Sequence, residues 1–261
     1  MKSAALLLVL ALGSACGGSE PGAQDDGKME STIVIDETLK ADLQALQGAR
    51  IYFGHQSVGD DILEGLRAFA REAGVELSIA EERVGANEKP LAKFEDFARH
   101  AESPASQGEQ LLLVKLCFVD FNPKTDVGAL VQAYAGSVER VRRARPEARL
   151  VHVTPPLCSR PTDMKSKLKR TLGSPVWEDQ ANARRAAFRE ALLARFSGEP
   201  FLDLGLVEST RPDGSRELHD VGGQQVPMLW PGYTTDGGHL NDTGKRVAAR
   251  AFARAAADAL R

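Results

Sequence analysis

Two short segments at opposite ends of the chain carry residue types that can act together on an ester. Near the start, Ser57 stands in Gly54-His55-Gln56-Ser57-Val58-Gly59; near the end, Asp236-Gly237-Gly238-His239 runs into Leu240-Asn241-Asp242-Thr243-Gly244. A serine hydroxyl is a weak nucleophile until an adjacent imidazole takes its proton, and a carboxylate fixes the tautomer of that imidazole. An Asp three residues before a His delivers base and orienting carboxylate from one loop. The two glycines between them let that loop turn tightly. Asn241 or Asp242 would cap a final helix and anchor the loop from behind. The plainer alternatives are that Ser57 only caps a helix and that His239 sits in a solvent-exposed turn.

These residues act together only if the fold brings them together. Five apolar runs read as buried strands: 50–53, 75–80, 111–118, 150–153 and 201–204. The third, Leu-Leu-Leu-Val-Lys-Leu-Cys-Phe, is almost continuously apolar, as a strand covered on both faces should be. Helical spacing fills the gaps at 58–72, 91–100, 127–143, 179–196 and 242–260; Ile62, Leu63, Leu66 and Phe69 mark one face of the first of these. Strands alternating with helices predict an α/β fold: a five-stranded parallel sheet between two helical layers, a three-layer α/β/α sandwich. Ligands bind outside the carboxyl ends of such strands. Ser57 follows the first strand, Gly85 the second, Asp120 the third and Thr154-Pro155-Pro156 the fourth, so all should face one edge.

With those residues in view, the stretch 49–257 resembles the SGNH, or GDSL-like, hydrolase superfamily. Asp236, His239, Leu240, Asn241 and Gly244 match its C-terminal Asp-x-x-His-Leu-Asn-x-x-Gly block. Ser57 matches the nucleophile, although His55-Gln56 replaces the usual Gly-Asp before it. The resemblance implies a flavodoxin-like sheet and a Ser57–His239–Asp236 triad acting without a cofactor. It also implies an oxyanion N–H from Gly85, in Arg83-Val84-Gly85-Ala86-Asn87. The family's Gly-x-Asn-Asp block reads Cys117-Phe118-Val119-Asp120 here, and Val119 cannot donate as the usual Asn does. Losing one such donor costs about 2.7–4 kcal/mol in other enzymes. Asn87, Gln56, Asn122 and Lys115 are candidate replacements, and Asp120 joins Gln56 and Asn87 as a candidate substrate contact.

Other residues carry weaker signals. His55 could reach the site from two residues before Ser57 or be a structural strand-end residue; His152 reads as core, and His100 and His219 carry no signal. Ser166-Lys167-Leu168-Lys169 matches a Ser-x-x-Lys pattern by coincidence, since neither Ser-Asp-Asn nor Lys-Thr-Gly accompanies it. Segments 157–178 and 218–235 read as lids. Trp230 and Tyr233, in the second, could stack on a sugar face, and the basic residues of the first could attract an acidic substrate; alternatively they pin the loop and form a solvated face. Two further functions stay open: a non-catalytic module that binds glycan or peptidoglycan, and a metal-dependent hydrolase using Asp60, Asp120, Asp236 and His239.

The N-terminus speaks to location. Lys2, the apolar run 4–12 and Gly13-Ser14-Ala15-Cys16 resemble a bacterial lipoprotein signal, with Cys16 acylated in the cell envelope. A plain secretory signal is the alternative. Residues 16–40 read as a flexible tether and 41–261 as the domain, with no transmembrane helix beyond the signal. A net charge of −3 gives no reason to expect nucleic acid, and the expected molecule is a monomer with a small ester or acylated carbohydrate substrate. Cys117 and Cys158 are expected as two buried thiols rather than a bridge, and no spacing suggests zinc.

Overall fold

Strand β1 (Arg50–His55) is buried at every position after its first and is an inner strand of the sheet. Beside it run β2 (Ser78–Arg83), β3 (Leu111–Val114), β4 (Arg149–Val153) and β5 (Phe201–Leu202). All pairings are parallel, in the order β2-β1-β3-β4-β5. This computed structural model describes residues 33–261, which lie within one compact unit, Ser31–Arg261. The signal, Cys16 and the tether up to residue 32 fall outside the described residues.

Side chains alternate across the sheet with a period of two and feed two cores. Ile51, Phe53, Leu111, Leu113, Val151 and Val153 pack under α1 (Glu37–Leu46), α2 (Val58–Ala73) and α8 (Asp242–Leu260). Tyr52, Leu112 and Val114 face α3 (Pro90–Glu102), α4 (Val127–Ala144) and α6 (Trp177–Arg195). The result is the α/β/α sandwich that the alternating pattern predicts. Each fully buried large side chain contributes about 1.5–3 kcal/mol, which is what holds the layers on the sheet.

β2 and β3 differ most from the expected spans, while β5 ends at Leu202 rather than at residue 204. β2 begins at Ser78 rather than Val75, because Val75 closes α2 instead: Gly74 turns left-handed (φ 67°) and Val75 N–H donates to Ala70 O at 2.9 Å. β2 is also an edge strand, mostly exposed, so its sequence lacks an apolar run. β3 stops at Val114, and Phe118–Asp120 form a 3-10 turn.

The domain also starts earlier than residue 41. Asp36 caps α1 by accepting from Leu39 N–H at 2.8 Å, and Leu39, Leu43 and Leu46 are buried in the core. The last positions assigned to the tether are therefore folded. The two candidate lid segments hold α5 (Met164–Thr171) and the antiparallel hairpin of β6 (Leu218–Val221) and β7 (Gln224–Pro227), while α7 (Leu204–Ser209) follows β5. No helix of the described residues is long and apolar enough to cross a membrane.

Candidate active site

Ser57 occupies the turn from β1 into α2 with φ 35° and ψ −92°, a conformation L-residues rarely adopt. Holding a non-glycine residue there costs of the order of 1–3 kcal/mol, and such strain clusters at functional sites. Its side chain makes no capping hydrogen bond, so the helix-cap reading does not describe its hydroxyl. The residue before it, Gln56, donates its amide to Val84 O at 3.1 Å and to Gly85 O at 2.6 Å. Both of its N–H donors are thus used to fasten the loop after β2 against the Ser57 turn. Gln56 is a brace, not the oxyanion donor that the sequence allowed.

Asp236 and His239 form the expected pair. His239 Nδ1 lies 2.7 Å from Asp236 Oδ2, while Asp236 Oδ1 accepts from the N–H groups of Gly238 (2.9 Å) and His239 (2.8 Å). The His239 contact, followed by those backbone donors, holds the Asp236 carboxyl well below its ordinary range. An ionised carboxylate only accepts, so Nδ1 is the donor in this pair, and in the neutral imidazole Nε2 then keeps the lone pair that a general base needs. The pair is open to solvent, each side chain being about half exposed, and the ring of His239 meets Phe118 edge-on at 5.4 Å.

One hydrogen bond connects the two halves of this site. Asp61, one turn into α2 after Ser57, accepts from Leu240 N–H at 3.0 Å through Oδ2. Leu240 directly follows His239. The turn that carries the serine and the loop that carries the histidine are therefore fastened to each other, and burial pushes the Asp61 carboxyl up. The packing of α2 along α8 supports that link from below.

A cavity of about 420 Å³ opens beside the pair, lined by Phe118, Cys158, Ser159, Glu178 and the Asp236–His239 loop. A second, of about 360 Å³, shares Phe118 and Glu178 and continues past Val119, Asn122 and Trp177. Glu178 Oε2 is buried between them without a hydrogen-bond partner. Cys117 and Cys158 are both free and buried, as the sequence suggested, and burial pushes the Cys158 thiol up to about 12.

Several sequence-derived roles do not fit this geometry. Gly85 N–H donates to Asp96 Oδ2 at 2.7 Å and is already committed. Gly85 takes φ 55°, and a Cβ there would lie 2.7 Å from Lys93, which explains the glycine on packing grounds. Asp120 is buried, its Oδ2 accepting from Lys93 Nζ at 2.5 Å and from Cys117 N–H at 2.6 Å; that oxygen belongs to a structural ion pair, while the residue lines the second cavity and its Oδ1 has no hydrogen-bond partner among the described residues. Lys115 is also buried and donates to Leu116 O at 3.1 Å. Tyr233 lies in the core with Trp230 packed edge-on against it at 4.7 Å; the aromatics pin the loop and do not line the cavities. Asn87 is exposed in the loop that Gln56 braces, and it alone of the named polar donors there is left facing solvent without an assigned partner among the described residues. Asn122 is exposed too, its Oδ1 accepting from Lys124 N–H in a local turn.

The four proposed metal ligands do not gather either. Asp60 pairs with Arg83 at 2.7 Å, Asp120 with Lys93, and Asp236 with His239. Among the described residues the group that does come together is His55, Asp60 and Glu81. There the buried His55 ring has Nδ1 3.7 Å from Asp60 and Nε2 3.6 Å from Glu81, with one ligand atom from each of the three residues within 4.8 Å of the others. Burial first, then the Lys115 charge, lowers His55 to about 4. His55 is thus a core residue under the turn, and Gly59 leaves it room: a Cβ there would lie 2.4 Å from the ring.

The sequence did not single out Asp61, Asp96, Phe118 or Glu178. Only Asp61 left a trace, as an acid in the first turn of an amphipathic helix, and that is commonplace.

No family model matches the chain, and no curated protein matches it. Solved structures share its fold. A protein of Streptococcus pneumonia, described as a candidate platelet activating factor, has 15% identity and a TM-score of 0.50 over 83% of this chain and 90% of its own. A candidate lipolytic protein of the G-D-S-L family from Desulfitobacterium hafniense has 10% identity and a TM-score of 0.47, covering 80% and 99%. The periplasmic domain of a lipopolysaccharide acetyltransferase from Salmonella ser. Paratyphi A has 11% identity and a TM-score of 0.46, covering 84% and 88%. At these identities the likeness is one of fold alone.

Proposed function

We propose that the protein is a serine ester hydrolase that removes an acyl group, with acetyl the favoured case, from a carbohydrate or other small ester. The observation that carries this reading is a strained, uncapped Ser57 fastened through Asp61 to a loop whose His239 is oriented by Asp236. His239 Nε2 takes the Ser57 proton as Oγ bonds to the ester carbonyl carbon. Collapse of the tetrahedral intermediate breaks the bond to the alcohol oxygen, which leaves with that proton from His239. Water, deprotonated by the same nitrogen, then releases the acid and restores the serine hydroxyl.

The Ser57 N–H has no backbone acceptor among the described residues and lies at the N-terminus of α2, where unpaired donors favour an oxyanion. With Gly85 N–H committed to Asp96, the Asn87 amide is the second donor this reading uses. The domain is further proposed to follow a removed signal (1–15) and to be tied to the cell envelope through an acylated Cys16, acting as a monomer.

Hydrolysis of p-nitrophenyl acetate should vanish in Ser57→Ala, and a fluorophosphonate probe should label the wild type at Ser57. The committed Gly85 N–H and Val119 favour one rival, a non-catalytic module that binds acylated glycan in the same groove. Glycan binding without labelling of Ser57 would decide for it.

A further inference from the structure

The segment between the two cavities carries a surface that the rest of the molecule leaves unused. Helix α5 buries no residue at all. Met164, Leu168 and Leu172 are 79%, 59% and 69% exposed, and Trp177, at the start of α6, is 58% exposed. The spacing of i, i+4 and i+8 puts the three aliphatic side chains on one stripe. At about 100° per residue, Lys165 and Lys169 flank that stripe on one side and Lys167 on the other. None of these lysines has a carboxylate within salt-bridge distance among the described residues. The helix keeps its place through polar contacts elsewhere. Arg170 grips Asp179 of α6 through two bonds of 2.6 and 2.8 Å and donates to Pro161 O at 2.7 Å, while Asp163 caps the first turn.

A well-terminated helix with an outward apolar stripe, cations along both margins and an aromatic ring beside it matches the chemistry of an interfacial segment. Its apolar side chains enter the acyl boundary while the lysine stems reach the headgroups. The single sign of the charge selects an anionic surface. We propose that α5, with Leu172 and Trp177, is a docking surface for an anionic phospholipid bilayer. Pro161 lines the first cavity and Trp177 the second, so docking sets both openings beside the lipid surface. The inference does not rest on the esterase reading, and its test involves no ester.

Unit 31–261, which buries its own core, would be sedimented with vesicles of phosphatidylglycerol and phosphatidylethanolamine, and separately with phosphatidylcholine vesicles. The expected result is partition onto the anionic vesicles with a blue shift of Trp177 emission. The triple variant M164S/L168S/L172S should bind at least about tenfold more weakly. K165Q/K167Q/K169Q should lose roughly fivefold per lysine, about a hundredfold in all. These side chains are on the surface, so both variants should melt with the wild type. No partition, equal partition onto neutral vesicles, or binding indifferent to either variant would overturn the proposal. Self-association of the wild type that M164S/L168S/L172S abolishes, without vesicle binding, would overturn it in favour of a second copy of the chain.

Discussion

Asp61 offers a sharp test of how the site is assembled, because its side chain bonds to neither Ser57 nor His239 yet fastens one segment to the other. Asp61→Ala removes the acceptor of the partly buried Leu240 N–H, and leaving such a group unpaired costs about 1–3 kcal/mol. At roughly 2–4 °C per kcal/mol for a domain of this size, the melting temperature should fall by a few degrees to about ten. The larger effect should be kinetic. Leu240 carries His239 with it, and a displacement of about 1 Å in a catalytic group can cost on the order of a hundredfold. We expect kcat on p-nitrophenyl acetate to fall about 10- to 100-fold with little change in KM, since Asp61 does not line the cavity. Asp61→Asn retains an oxygen acceptor of the same shape and should recover activity to within a few-fold of wild type. Burial already disfavours the charge on Asp61, so losing it should matter little. If the Ala variant melts lower while its kcat stays within about threefold of wild type, or if Asn rescues nothing, Asp61 does not position the histidine loop.

Further outcomes follow from the same coordinates. Ser57→Gly should abolish labelling and hydrolysis, yet unfold at the same free energy or up to about 1 kcal/mol higher, because glycine adopts φ 35° without strain. A loss of about 2 kcal/mol in urea titration would contradict that strain. His55, at about 4 in the fold against 6.5 for the free group, is held neutral by burial. Its contribution, about 3 kcal/mol, is complete above pH 6.5 and disappears as pH falls through 4. NMR titration should find the ring protonating near pH 4, and a midpoint above 6 would refute its burial. Glu208 runs the other way: burial pushes its carboxyl from 4.5 to about 8, so the native state loses stability as pH rises between those values. Glu208→Gln keeps an acceptor for the Leu157 N–H, now 2.6 Å from Oε2, and should be more stable than wild type by at least about 1 kcal/mol at pH 9, with no gain at pH 4. Chemical denaturation at the two pH values checks this, and a less stable variant at pH 9 would count against it.

Much of the architecture was legible in the sequence because burial on both faces writes itself as apolar runs. β1, β3 and β4 were readable for that reason, and α2 and α8 for their one-sided spacing. Edges are different. β2 is exposed and polar, so the nearby apolar Val75 drew the reading three residues early, and the tertiary structure spends Val75 on closing a helix. α1 was hidden by the polar composition around it, although Leu39, Leu43 and Leu46 carried its inward face.

In the site, residue types alone named Ser57, Asp236 and His239, since base and carboxylate share one loop and need only a local turn. Which polar groups remain free is another matter. Gln56, Gly85 and Asp120 looked available from their neighbours in sequence, and each is taken by a partner from elsewhere: Val84 and Gly85 carbonyls, Asp96, and Lys93. Most donors and acceptors buried on folding find a partner, and the chain supplies those partners from 11 to 29 positions away in these cases. Local sequence thus determines which chemistry a residue can offer. Only the packed fold decides whether that capacity is already spent, as with the Asp61 bond that joins positions 179 residues apart.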